Sequence, residues 1–309
     1  MTADGDGPIF IFGIGRTGTT LLARMLDRHP DVSIHLESRF LSALPAGDAG
    51  ATLGDDAAVV RLLDRVPDPA EQGVTRDAIL RRFATTDRSV RALFDTMLRL
   101  RMEARGKRRF GEKTPSHFAQ VDVLRAWYPA ARFVYLLRDP RDAYASFKHS
   151  RDHADVGWTD RTLLGRCLYW NYYRQEAAAA KRRFPARVHE VRFATLVEDP
   201  ERALRDLCAF LGLGYDPRMH AVAENNSSFA ETRDARGLRR EALDRRDRLR
   251  PWEATAIEIL CGERMLADGL PVSAGSRRAI GVLAPLGGYA LTARLHRAVR
   301  RRREARSSA

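Results

Sequence analysis

Apolar residues in this chain fall into two kinds of run, short solid ones and longer periodic ones, and the two alternate. Pro8-Ile9-Phe10-Ile11-Phe12-Gly13 is a solid run stopped by glycine, the pattern of a strand buried on both faces. A glycine-rich turn follows, and Thr20 to Asp27 predicts a helix stopped near His29-Pro30. Val32–His35, Arg108–Glu112, Arg132–Leu137 and Ala186–Val191 predict further strands, with a helix on either side of the run at 132–137. Residues 45–55 are rich in Gly, Ala and Asp and predict a loop. From Asp56 to Arg105 the period changes. Val59, Leu62, Leu63 and Val66, then Ile79, Leu80 and Phe83, then Leu93, Phe94, Met97 and Leu98 form i, i+3, i+4 stripes. They predict a helical insertion at about 56–106, packed over one end of the sheet. Pro200–Leu211, capped near Asp199, and a helix from Pro251 to about Leu266 follow. Such alternation predicts an α/β fold with a central parallel sheet of four or five strands flanked by helices. Residues 1–275 are expected to form one domain with a lid-like loop at about 225–250. A basic tail at 276–309 stands apart.

Composition narrows the class. No uncharged apolar run approaches 18 residues, which excludes a membrane-spanning helix of the usual length. Cys167, Cys208 and Cys261 are far apart, lack metal-ligand spacing and cannot all pair. They are expected as buried thiols in a reducing compartment, and the first residues carry no secretory pattern, so the expected location is cytoplasmic. The formal net charge is +13, yet only four of the 53 basic residues are lysines: Lys107, Lys113, Lys148 and Lys181. That charge is either an arginine-biased solvated surface or a field that concentrates a polyanionic ligand. Between Arg294 and Arg306 the tail holds seven arginines and one glutamate, a pattern of membrane-surface contact or of a solvated end.

The chemistry concentrates at the first turn, Gly13-Ile14-Gly15-Arg16-Thr17-Gly18-Thr19-Thr20. A strand–glycine turn–helix aims backbone N–H groups and a helix N-terminus at one point, an anion site. Three uses are open. The letters fit G-x-G-x-x-G with Glu37 about 20 residues on, as in dinucleotide binding. They also resemble a Walker loop with Thr19 in the lysine position. Or the loop holds a phosphate-like group without a metal, with Arg16 supplying charge. A second segment, Arg138-Asp139-Pro140-Arg141-Asp142 through Ser146, puts an arginine where a strand ends and a hydroxyl two helical turns later. Together they suit one phosphate, with Arg138 as a charged donor and Ser146 as a hydroxyl donor. The plainer alternative is a surface ion pair of Arg138 with Asp139 or Asp142.

Taken together, Gly15 to Leu22 and Arg138 to Ser146 resemble the two nucleotide-binding motifs of sulfotransferases that use 3′-phosphoadenosine 5′-phosphosulfate (PAPS). The branch they resemble most holds tyrosylprotein and many bacterial sulfotransferases, and the resemblance spans roughly residues 8–270. It implies a P-loop NTPase-like three-layer fold, PAPS as co-substrate, adenosine 3′,5′-bisphosphate as product and no metal. It implies that Gly15, Arg16, Thr17, Gly18, Thr19 and Thr20 cradle the 5′-phosphosulfate, and that Arg138 and Ser146 bind the 3′-phosphate. Glu37-Ser38-Arg39 matches the branch's Glu-x-Arg pattern, making Glu37 the general base. Lys113-Thr114-Pro115 matches its Lys-Asp-Pro element with Thr for Asp, and pairs Lys113 with Arg16 on the transferring group and leaving phosphate. Arg39 is a candidate for the acceptor. His35 and His117 stand as reserve bases. Phe193 replaces a tyrosine common in the family. A later family arginine falls at Ser150, one residue from Arg151. Asn225-Asn226-Ser227-Ser228-Phe229 matches a late loop over the nucleotide, and Arg236-Gly237 a late basic element.

The expected function is sulfonate transfer to an acceptor hydroxyl on a glycan, glycolipid, peptide or natural product. No nucleic-acid partner is expected. Two other classes make different predictions. An atypical nucleotide or nucleoside kinase would need ATP and magnesium. A non-enzymatic basic module would bind membrane or nucleic acid with steep salt dependence.

Overall fold

A computed structural model describes residues 7–45, 47–148, 162–221 and 246–283 of the 309. Five parallel strands form one sheet: β1 Ile9–Phe12, β2 Val32–Leu36, β3 Arg109–Lys113, β4 Arg132–Leu137 and β5 Val188–Arg192. All five coincide with expected runs to within two residues at either end. Their order, β2-β3-β1-β4-β5, discriminates between the loop's possible uses. In a dinucleotide-binding sheet the second strand lies beside the first. Here β3 lies between them, so the G-x-G-x-x-G letters are not used that way.

Twelve helices are described: α1 Thr19–Asp27, α2 Phe40–Ala43, α3 Asp56–Leu63, α4 Arg76–Phe83, α5 Val90–Ala104, α6 Val121–Trp127, α7 Pro140–Lys148, α8 Leu163–Arg183, α9 Phe193–Glu198, α10 Pro200–Leu211, α11 Pro251–Ala267 and α12 Ala274–Leu283. Strands covered on both faces need apolar residues at every position, and β1 supplies them. Ile9 and Ile11 join Leu22, Met25, Leu204 and Leu207 of α1 and α10 on one face. Phe10 and Phe12 join Phe94 of α5, Trp127 of α6 and Tyr173 of α8 on the other. Phe10 lies 6.4 Å from Phe94 and 6.0 Å from Phe133, ring to ring.

Part of the expected 56–106 insertion is integral to this packing. Helix α5 is the crossover between β2 and β3 and lies on both strands, and α4 packs outside it. The three cysteines are free and buried, as expected. No described helix is long and apolar enough to cross a membrane. Ser150, Arg151, Asn225–Phe229, Arg236-Gly237, most of the 225–250 loop and the tail beyond residue 283 lie outside the described residues.

Because every strand runs the same way, all five C-terminal ends meet at one edge. In sheet order they carry Glu37 after β2, Lys113 at the end of β3, the 13–18 loop after β1, Arg138 after β4 and Phe193 after β5. The chain reverses its direction of travel across the sheet between β1 and β4, the position where open α/β sheets place ligands.

Candidate active site

The glycine loop is built for close approach on one side and bracing on the other. Gly18 caps α1 at φ +92°, and a Cβ there would stand 2.4 Å from the Phe193 ring. Above Gly15 the Cβ direction is open, with only an Arg166 guanidinium nitrogen at 3.8 Å. Both the N–H and the hydroxyl of Thr17 turn back to the Ile14 carbonyl, at 3.2 and 2.7 Å. Thr17 therefore shapes the loop, and the first N–H groups of α1, which have no partner within the helix, face outward. Thr19 is buried, and Thr20 presents its hydroxyl to Lys113.

Two polar groups form along this edge. In the first, Arg138 donates to the Arg16 carbonyl at 2.7 Å and lies 4.2 Å over the Phe193 ring. Arg16 Nε donates to Ser146 Oγ at 3.2 Å across 130 residues of sequence. Arg138 and Ser146, expected around one phosphate, are thus both in contact with Arg16, one through its carbonyl and the other through its guanidinium. Among the described contacts, Arg138 makes no ion pair with Asp139 or Asp142. Asp139 and Asp142 bind Arg141 and Arg246 instead. Arg141 also reaches Glu258 of α11 at 2.5 Å, so the second motif is anchored to the C-terminal helices by buried charges. Phe193 offers no hydroxyl, but its ring packs against both Gly18 and Arg138.

In the second group, Lys113 is 1% exposed. Its ammonium donates to Thr20 Oγ1 at 2.9 Å and to Glu37 Oε1. Burial holds this ammonium below its ordinary pKa, and Glu37 opposes that without cancelling it. Glu37 keeps 39% of its side chain exposed, with Arg39 3.5 Å from its other oxygen. One lysine therefore links the start of α1 to a carboxylate that solvent still reaches. Among the described contacts, Arg16 belongs to the first group and not to the Glu37–Lys113 group.

Four non-glycine residues among those described have positive φ, and three lie here: Arg16 at 74°, Glu37 at 50° and Arg39 at 52°. Each costs about 1–2 kcal/mol, and such outliers gather where a site is held in shape. Both reserve bases are enclosed. His117 lies with Nδ1 3.3 Å from Glu112 Oε2. His35 is buried in β2, and burial lowers it to a pKa of about 4. Glu112 was not among the expected site residues. Burial pushes its carboxyl up, but the nearby His117 and hydrogen bonds from Thr114 and Ser38 outweigh that and hold it below its usual range.

This geometry can be set beside known proteins. A family model described as "Sulfotransferase family" matches residues 8–217. The chain belongs to the sulfotransferase family. A nodulation protein, NoeE, of Sinorhizobium fredii is 28% identical over 88% of this chain and 66% of its own length. An omega-hydroxy-beta-dihydromenaquinone-9 sulfotransferase, Stf3, of Mycobacterium bovis is 30% identical over 38% of this chain and 33% of its own. The chain thus spans about two thirds of one relative and a third of the other. Among solved structures, the sulfotransferase domain of the Synechococcus PCC 7002 olefin synthase superposes with a TM-score of 0.61. It shares 17% identity over 86% of this chain and 95% of that one. That likeness bears on the fold, and agrees with the P-loop-like sulfotransferase architecture expected.

Proposed function

We propose that this chain transfers a sulfonate from PAPS to an acceptor hydroxyl and releases adenosine 3′,5′-bisphosphate. Family membership supports the reaction class. The observation that carries the roles is the order of side chains along the strand ends: a solvent-accessible carboxylate, a buried ammonium, an anion loop, then an arginine–serine pair. The residues fit the donor. Gly15 leaves room over the loop, α1 directs its N-terminus there, and Arg138 and Ser146, both in contact with Arg16, serve the 3′-phosphate end.

Sulfonyl transfer needs a proton removed from the acceptor and charge balanced on the departing phosphate. Glu37 takes the hydroxyl proton, and the acceptor oxygen forms its bond to sulfur as the sulfur–phosphate oxygen bond breaks. Lys113, beside both Glu37 and Thr20, holds the Glu37 carboxylate in place and supplies positive charge where the phosphate oxygen departs. Arg16, on the second-motif side of the loop, neutralises the donor. Arg39 beside Glu37 faces the acceptor. The hydroxyl class of acceptor agrees with the name of the mycobacterial relative, which acts on an omega-hydroxy compound.

Turnover of PAPS with 2-naphthol as surrogate acceptor tests the base. Glu37→Gln is expected to lower kcat by about 10²–10⁴ while leaving the affinity for adenosine 3′,5′-bisphosphate unchanged. Unaltered turnover would remove Glu37 from the chemistry.

A further inference from the structure

The carboxylate one residue before Lys113 is fully enclosed. Glu112 Oε1 accepts a hydrogen bond from Ser38 Oγ at 2.8 Å and another from Thr114 Oγ1. An ionised carboxylate only accepts, so both hydroxyl protons must point at it. Each hydroxyl oxygen then turns its lone pairs outward, and each takes a backbone N–H from the same turn. Arg39 N–H reaches Thr114 Oγ1 at 3.1 Å, and Phe40 N–H reaches Ser38 Oγ at 3.2 Å. The Glu37 N–H goes to the Lys113 carbonyl at 2.7 Å. The turn at 37–40 is thus fastened to the end of β3 by three N–H groups, two of them through hydroxyls polarised by one buried charge. His117 Nδ1 lies 3.3 Å from Oε2, close to the remaining oxygen but without a hydrogen bond to it.

That turn needs fastening. Glu37 and Arg39 both sit in the left-handed region, which residues with a Cβ leave unless their surroundings hold them. A turn free to relax would rotate the Glu37 carboxylate away from Lys113.

We propose that Glu112 is a positioning residue for sulfonate transfer, its buried carboxylate locking Ser38 and Thr114, and through them the strained turn that sets Glu37 against Lys113. The consequence for catalysis rests on Glu37 being the base, but the fastening itself does not.

Two measurements on the full chain separate these layers. The first is amide hydrogen exchange with the protein saturated in adenosine 3′,5′-bisphosphate. In Glu112→Gln the Arg39 and Phe40 amides are expected to exchange about tenfold faster or more, since hydrogen bonds to an ionised group are the stronger kind. Amides of β1 and β4 should not change. Ser38→Ala, a smaller perturbation that keeps the charge, should free the Phe40 amide in the same way. Unchanged exchange at 39–40, or an equal rise across the sheet, overturns the proposal.

The second is PAPS turnover with 2-naphthol. Glu112→Gln should lower kcat about tenfold with the KM for PAPS unchanged, and should cost nothing further in a Glu37→Gln background. Glu112→Asp, which keeps the charge, should recover part of the loss. Losses that multiply in the double variant overturn the positioning role. If Glu37→Gln alone turns over normally, the base assignment falls, and the exchange data still decide whether Glu112 fastens the turn.

Discussion

Gly18 offers the sharpest link between backbone geometry and ligand binding. Replacing it by alanine meets two obstacles. At φ +92° a residue with a Cβ costs about 1–2 kcal/mol on its own. The added carbon would also lie 2.4 and 2.5 Å from two atoms of the Phe193 ring, far inside van der Waals contact. Phe193 cannot swing aside freely, because it is buried and carries the Arg138 guanidinium 4.2 Å over its face. Overpacking of this kind costs about 1–3 kcal/mol. The total is about 2–5 kcal/mol, which for a chain of this size lowers Tm by about 3–8 °C. Relief of the clash moves the ring, and with it Arg138, so affinity for adenosine 3′,5′-bisphosphate should fall by more than the stability loss explains. Differential scanning calorimetry and isothermal titration of Gly18→Ala read the two effects separately. Gly18→Ala/Phe193→Leu should regain stability by relieving the ring contact while keeping the backbone cost. Wild-type Tm and wild-type affinity in Gly18→Ala would refute the reasoning.

Two further outcomes follow from buried charge. His35 is buried and its ring nitrogens have no hydrogen-bond partner among the described residues. Burial lowers its pKa from an ordinary 6.5 to about 4, so the unfolded chain binds its proton first. Stability is intact above pH 6.5 and is lost as pH falls toward 4, by up to about 3 kcal/mol at about 1.4 per pH unit. His35→Leu should flatten urea-unfolding stability across that window, and an unchanged slope would contradict the assignment. Glu258 accepts from Arg141 at 2.5 Å and from the Ser273 N–H and hydroxyl at 3.1 and 2.5 Å. Because Asp139 still holds Arg141, Glu258→Gln should cost about 2–3 kcal/mol, a drop in Tm of several degrees with little change in donor affinity.

The sheet was legible because a strand buried on both faces leaves a solid apolar run, as Ile9–Phe12 and Arg132–Leu137 do. The ends of those runs then located the loop and Arg138, while Glu37 and Lys113 were found through the family resemblance. Other features were hidden for physical reasons. Helix α8 is buried along most of its length, so it shows no apolar stripe, and Arg166, Asn171 and Arg174 within it resemble surface residues. Charges in the Arg138–Asp142 segment resemble a solvated helix start. Their partners Arg246 and Glu258 lie more than 100 residues on, and no local pattern announces them. Glu112 was passed over for a similar reason, since Ser38 is 74 residues away. The available signal was the run Glu112-Lys113-Thr114, polar residues closing a strand whose neighbours bury both faces.

The most direct test of the central claim is calorimetric titration with adenosine 3′,5′-bisphosphate, AMP and ATP–magnesium, in the wild type and in Arg138→Ala. A ligand at 100 times its Kd adds about 2.7 kcal/mol of stability, so a parallel thermal melt reports the same binding. The bisphosphate alone is expected to bind tightly, with most of that affinity lost in Arg138→Ala. Binding of ATP–magnesium alone, or of none of the three, would contradict a PAPS site at this edge of the sheet.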